Sequence, residues 1–172
     1  MEKNHNNEYK VCVTGGAGFI ASWLVNKLLQ KGYTVHATLR NLDDDSKVGV
    51  LKSLQGAEAR LVLFKADIYF PEEYENAIKS CQYVFYVATP LFHTEGPDYK
   101  YKNTSEATVD AAKSIARFCE RSETVKRLIY TASVVAASPL KDDGSGYKDL
   151  MDETCWSPFN ISVPDITDFH KA

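Results

Sequence analysis

Two hydrophobic periods take turns along this chain. Tyr9 to Thr14 is a short apolar run of the kind a buried strand makes, and Gly15 to Gly18 is a glycine-rich turn. From Phe19 the period changes. Ile20, Trp23, Leu24 and Leu28 recur at helical spacing until Gly32 supplies a stop signal. Tyr33 to Leu39 is rich in β-formers and predicts a second strand. Asp43 to Gln55 predicts a helix, opened by acids that suit the positive end of its dipole. Arg60 to Phe64 is a third strand. Pro71-Glu72-Glu73 begins a helix with proline in its first turn, and Tyr83 to Ala88 is a fourth, buried strand. Asp98 to Arg121 predicts a long helix with an apolar stripe of Val109, Ala112, Ile115, Ala116 and Cys119, and Val125 to Ala132 a fifth strand.

Strands that alternate with helices need crossover connections, and crossovers make a parallel sheet. Five strands and four helices predict an α/β fold, a Rossmann-like doubly wound sheet with strand order 3-2-1-4-5. The strands show little polar alternation, as expected of a sheet covered on both faces. After Ser133 the periodicity fades. Asp142-Asp143-Gly144-Ser145-Gly146 is a turn cluster, and Pro139, Pro158 and Pro164 break any long element. The expected organisation is a disordered polar N-terminus over 1–8, a nucleotide-binding domain over 9–133 and a loop-rich tail over 134–172.

Composition narrows the classes. The chain has 172 residues, 44% of them hydrophobic and 25% charged, which suits one globular domain with a sizeable core. Twenty Lys and Arg against 23 Asp and Glu give a net charge of −3, which argues against a nucleic-acid binder. No apolar run approaches the roughly 20 residues that span a bilayer. Met1 to Glu8 has no apolar signal-peptide core, so the cytoplasm is the expected compartment. Cys12, Cys81, Cys119 and Cys155 match no zinc or redox spacing and read as reduced thiols, and the scattered histidines predict no metal site.

The strongest chemical signal is Thr14-Gly15-Gly16-Ala17-Gly18-Phe19-Ile20-Ala21, a glycine turn that follows a strand and opens a helix. Gly15 permits the tight turn, Gly18 lets a diphosphate approach the backbone, and Ala21 fills the third small position where helix packs on strand. The helix start, at Phe19 and Ile20, then offers unpaired amides and a positive dipole to phosphate. Past the second strand, where NAD sites place an acid, stands Arg40, which can hold a 2′-phosphate; Lys47 can add a point charge. NADP is therefore expected over NAD. The competing reading of Arg40 is a solvated surface arginine, free or paired with Asp43, Asp44 or Asp45; those three aspartates weaken the local positive field and are the main argument against NADP. Asp67 with Ile68, just past the third strand, can meet adenine or serve as a turn residue. Val87-Ala88-Thr89, at the end of the fourth strand before Pro90, leaves room for the nicotinamide ribose, or is a strand end stopped by proline. Thr131-Ala132-Ser133 ends the fifth strand with a hydroxyl that can bond a substrate carbonyl.

Together, Val13 to Arg40, Lys65-Ala66-Asp67, Val87 to Pro90, Tyr130 to Ser133 and Met151-Asp152-Glu153-Thr154-Cys155-Trp156-Ser157 resemble the extended short-chain dehydrogenase/reductases. They are most similar to the plant dihydroflavonol, anthocyanidin and cinnamoyl-CoA reductase group, and Val134 to Pro139 resembles its anthocyanidin-reductase-like branch. The resemblance implies a fold of the kind above and an NADPH-dependent reduction of a flavonoid or phenylpropanoid-type carbonyl. In such a reduction a serine, matched by Ser133, polarises the carbonyl oxygen. A tyrosine donates the proton, helped by a lysine four residues later. That Tyr-x-x-x-Lys pair is not found after Ser133. Tyr147 directly precedes Lys148, and Tyr99, Tyr101 and Lys102 are expected on the long helix. Asp168-Phe169-His170-Lys171-Ala172 resembles the residues before the family's tyrosine, one residue short of it. The expectation is a truncated reductase, weakly active or inactive alone, taking a small phenolic substrate. The alternative is a non-catalytic NADP-binding module that pairs with a full-length homologue. Arg40 and the Asp-Glu-x-x-Trp segment argue against a sugar-nucleotide epimerase fragment.

Overall fold

A computed structural model describes residues 9–90, 100–133, 136–138, 141, 143 and 145–157. The chain divides into two units, Met1–Thr131 and Ala132–Ala172. The expectations for 1–8, Tyr99, Val134-Val135, Pro139 and Asp168–Ala172 lie outside the described residues.

The first unit is a parallel sheet with helices on both faces. Its elements in chain order are β1 (Lys10–Val13), α1 (Phe19–Gln30), β2 (Thr34–Leu39), α2 (Asp45–Lys52), α3 (Ala57–Arg60), β3 (Leu61–Lys65), a 3₁₀ turn (Pro71–Glu73), α4 (Tyr74–Ile78), β4 (Tyr83–Tyr86), α5 (Thr104–Arg121) and β5 (Arg127–Tyr130). All strand pairs are parallel, in the order β3-β2-β1-β4-β5. The predicted order is the observed one. The chain winds outward from β1 to β3, then crosses back to β4 and β5, so the winding reverses between β1 and β4. A crevice outside the carboxyl ends of the strands at such a reversal is where open α/β sheets bind ligands.

Strand alternation sorts the apolar side chains into two cores. Val11 and Val13 of β1 face one, with Ala21, Val25 and Leu29 of α1, Val35 and Ala37 of β2, and Leu51 of α2. Cys12 faces the other, with Ile78 of α4, Val84 and Tyr86 of β4, and Ala107, Ala111 and Ile115 of α5. The central strands are buried on both sides. The edges are not: Val62 on β3 and Tyr130 on β5 are exposed. All four cysteines are free, buried thiols. Burial pushes the Cys81 thiol up to about 12, so it stays protonated.

Several boundaries differ from the sequence expectation for local reasons. The helix expected over Asp43–Gln55 is Asp45–Lys52, because the Asp44 side chain caps it. It is followed by the short α3, which begins after Gly56 at φ +83. Asn103 caps α5 by accepting from the Glu106 amide at 2.9 Å, so the helix starts at Thr104 and Tyr101 and Lys102 precede it. The predicted stripe on α1 is also displaced in part. Ala21, Val25, Leu28 and Leu29 are buried, whereas Phe19, Ile20 and Trp23 are exposed. On α5 the buried line is Ala107, Ala111, Ile115 and Cys119, and Val109 and Ala116 face outward.

In the second unit, Ala137 and Trp156 form an antiparallel bridge. The Ser138 amide donates to the Cys155 carbonyl at 3.1 Å, and the Ser157 amide to the Ala136 carbonyl at 2.9 Å. Asp152 shapes the turn before this bridge by accepting the Thr154 amide and hydroxyl on Oδ1, which holds its carboxyl below the usual range. No helix among the described residues is long and apolar enough to cross a membrane.

Candidate functional site

The site is built where β1, β2 and β4 end. Thr14 follows β1 and is fully buried. Its hydroxyl accepts two backbone amides, those of Val87 and Ala88, each at 2.9 Å. Those two residues follow β4, so one side chain ties the β1 corner to the β4 end. On the other side Thr38 of β2, also fully buried, accepts the Gly15 amide on its hydroxyl at 3.1 Å, and its carbonyl accepts the Gly16 amide at 2.7 Å. The glycine turn is thereby held from both neighbouring strands. Buried hydroxyls of this kind are tolerated because their polar atoms are paired.

The glycines fit that space tightly. Gly15 has φ +66, the left-handed region, and an added Cβ would lie 3.1 Å from the Cβ of Ala88. At Gly16 a Cβ would lie 2.8 Å from that of Ala37, closer than side chains pack. Gly18 is exposed and serves as the N-cap of α1, with no side chain capping the helix. The first amides of α1, at Phe19, Ile20 and Ala21, have no preceding turn of helix to bond to. They begin a helix of 12 residues whose first turn carries no acid. Such an end offers donors and partial positive charge to an anion. Phe19 is 95% exposed, so a ligand in the cradle meets the helix through these amides rather than through a closed side-chain wall. Ala21 is buried against the sheet, as its small size at that position predicted.

Arg40 leaves β2 exposed. Among the described residues it makes no ion pair, so none of Asp43, Asp44 and Asp45 holds it, and its exposure is shared by a solvated surface arginine and by one open to a 2′-phosphate. Lys47 does have a partner: its Nζ lies 3.0 Å from Asp44 Oδ2. Asp67 acts as a turn residue. Its Oδ1 accepts the Tyr69 amide at 3.1 Å, its carbonyl accepts the Phe70 amide at 2.9 Å, and its own amide donates to Glu73 at 3.0 Å. The Ile68 side chain is buried in the core. Thr89 is exposed beyond the Thr14 tie. Gly15, Gly18, Phe19, Ile20, Arg40, Asp67, Val87, Ala88 and Thr89 thus lie along the strand ends of the first unit, with Lys47 on the following helix. Ser133 belongs to the second unit, where it is exposed and its carbonyl accepts the Ala136 amide at 3.0 Å. The roles of the Thr14 and Thr38 side chains and of Gly16 are not evident in the sequence. The available signal was a threonine at each of two strand ends beside a glycine turn.

The chain matches the model of the NAD dependent epimerase/dehydratase family over residues 11–159. A dihydroflavonol 4-reductase of Solanum lycopersicum is 43% identical over 152 residues, which make up 88% of this chain and 38% of that protein. An anthocyanidin reductase of Arabidopsis thaliana is 35% identical over 170 residues, 93% of this chain and 48% of that one. The crystal structure of vestitone reductase from alfalfa superposes with a TM-score of 0.69 at 39% identity, covering 87% of this chain and 43% of the other. The chain therefore spans less than half the length of these relatives. The glycine corner, the strand order and the extent of the match give the assignment: the chain belongs to the NAD dependent epimerase/dehydratase family, and proteins similar to it include dihydroflavonol and anthocyanidin reductases.

Proposed function

We propose that these residues form the NADPH-binding half of a reductase acting on flavonoid or phenylpropanoid-type carbonyl substrates. The observation that carries this reading is the uncapped start of α1 behind a glycine turn pinned by Thr14 and Thr38. The cradle fits a dinucleotide diphosphate, because α1 opens with no side-chain cap and no acid in its first turn, and a Cβ at Gly18 would crowd the Gly15 carbonyl at 3.1 Å. Arg40, unpaired among the described residues and at the end of β2, holds the 2′-phosphate. Asp67 and Ile68 border adenine, the former through whatever acceptor capacity its turn leaves. Val87, Ala88 and Thr89 border the nicotinamide ribose. When bound, the cofactor supplies hydride to a carbonyl carbon. Ser133 orients the carbonyl oxygen by donating its hydroxyl proton in a hydrogen bond. A small phenolic compound is the expected substrate and the cytoplasm the expected compartment. Proton donation belongs to a Tyr-x-x-x-Lys pair, as in the family it resembles.

The test compares this chain with a version extended through such a pair, assayed with NADPH on dihydroflavonols, anthocyanidins and cinnamoyl thioesters. Both should bind NADPH. The extended version should turn over about 10²–10⁴-fold faster, the usual contribution of general acid–base catalysis. Equal turnover by the two would refute the assignment of proton transfer, and failure of both to bind NADPH would refute the reading as a whole.

A further inference from the structure

Two cations stand at the ribose end of the crevice on different footings. Arg40 is exposed and makes no ion pair among the described residues. Lys47 is engaged by Asp44, and Asp44 is itself fixed. Its Oδ2 lies 3.0 Å from Lys47 Nζ, while Oδ1 accepts the Ser46 hydroxyl at 2.6 Å and the Lys47 amide at 3.2 Å. Hydrogen bonds from Ser46 and Lys47 hold its carboxyl down to about 2, so it is ionised throughout the physiological range. Asp43 and Asp45, both exposed, flank it.

A 2′-phosphate arriving at this turn meets a lysine whose charge is already engaged and must compete with Asp44 for it. An NADH ribose, carrying no charge there, meets no such competition. We infer that Asp44 is a cofactor-selectivity residue acting against the 2′-phosphate: by holding Lys47 it narrows the NADPH-over-NADH preference that Arg40 creates. This inference rests on the nucleotide reading above. Lys47 is exposed and Asp44 half-buried at the surface, so the grip on Lys47 amounts to a factor of up to about five. It weakens as salt screens it. Asp44 is thus a partial brake and Arg40 remains the dominant cation.

The experiment is calorimetric titration of the chain with NADPH and with NADH, at low and at high salt. It uses wild type, Asp44→Asn, Lys47→Ala and the double variant. Asparagine caps a helix as well as aspartate does, so Asp44→Asn keeps α2. Asp44→Asn should bind NADPH roughly three- to fivefold more tightly at low salt, with NADH unchanged. The gain should shrink at high salt and vanish when Lys47 is also replaced. Weaker NADPH binding in Asp44→Asn would mean that Asp44 presents Lys47 to the phosphate, which overturns the inference. An unchanged NADPH-to-NADH ratio, or a gain that survives Lys47→Ala, overturns it too. If wild type binds NADPH and only the ratio fails to move, this inference falls alone. If wild type binds neither dinucleotide, the nucleotide reading falls with it.

Discussion

The two ends of the crevice are made of different materials. At the diphosphate end every fixed element is backbone or a buried hydroxyl: Thr14 and Thr38 have no exposed surface and bond four amides between them, counting the Thr38 carbonyl. At the ribose end the polar groups are long, charged and exposed: Arg40, Lys47 and the aspartates around Asp44. The first arrangement cannot adjust, because its glycines fit within a few tenths of an ångström. The second can, because an exposed ion pair exchanges partners at little cost. The difference separates two jobs. On the proposed nucleotide reading, rigid geometry would recognise what every dinucleotide shares, and adjustable charge would discriminate between one dinucleotide and another.

The largest expected effect comes from filling the rigid end. Gly16→Val forces a Cβ to 2.8 Å from Ala37 and adds two methyl groups behind it. It should cost about 1–3 kcal/mol of stability, as overpacking does. NADPH and NADH binding should be lost together, checked by denaturant melts and titration. Loss of only one cofactor would break the proposed division of labour. Next is Thr14→Val, which keeps the shape but leaves the Val87 and Ala88 amides unpaired. It should cost about 1–3 kcal/mol, while Thr14→Ser should restore most of it. A neutral Thr14→Val would show that the tie is incidental.

Arg40→Ala acts at the adjustable end. It should weaken NADPH roughly tenfold or more, the scale of a hydrogen bond to a charged group. It should leave NADH affinity alone and change stability by less than about 0.5 kcal/mol, as an exposed site does. Equal loss for both cofactors would make Arg40 a general contact rather than a selector.

The smallest effect tests the sheet that carries both ends. His36 of β2 is buried, and its Nδ1 donates to the Ala77 carbonyl at 2.9 Å. Burial holds its folded-state pKa below the ordinary 6.5. Above pH 6.5 both folded and unfolded chains keep this histidine neutral, and its contribution is fully present. As pH falls below 6.5 the unfolded chain takes the proton first, so stability declines until the folded-state value is reached. His36→Gln should flatten that part of the pH–stability curve. An unchanged slope would show that other groups set it.

Much of this was legible in residues 9–133. Strand and helix periods gave five parallel strands, and the Thr14–Ala21 run placed the glycine turn between β1 and α1, where the structure has it. What escaped was long-range or partner-dependent. Thr14 reads as the last residue of an apolar run, and its task depends on amides 73 and 74 residues away. Ile20 and Trp23 are apolar but exposed, so of the expected stripe of α1 hydropathy placed Leu24 and Leu28 correctly and the other two not. The aspartates near Lys47 were expected to weaken the local positive field, but the sequence does not show that Asp44 is the one that bends back to hold it. Asp67 had two readings, and local hydrogen bonds realised the turn.

The central claim is that the amides opening α1 receive a dinucleotide diphosphate. The most direct measurement is an NMR titration of ¹⁵N-labelled chain with NADPH, following each backbone amide. The account predicts the largest shifts at Gly15 to Ala21, with a second group near Arg40 that appears with NADPH and is reduced with NADH. Saturable shifts elsewhere in the chain, with Phe19, Ile20 and Ala21 unmoved, would contradict it.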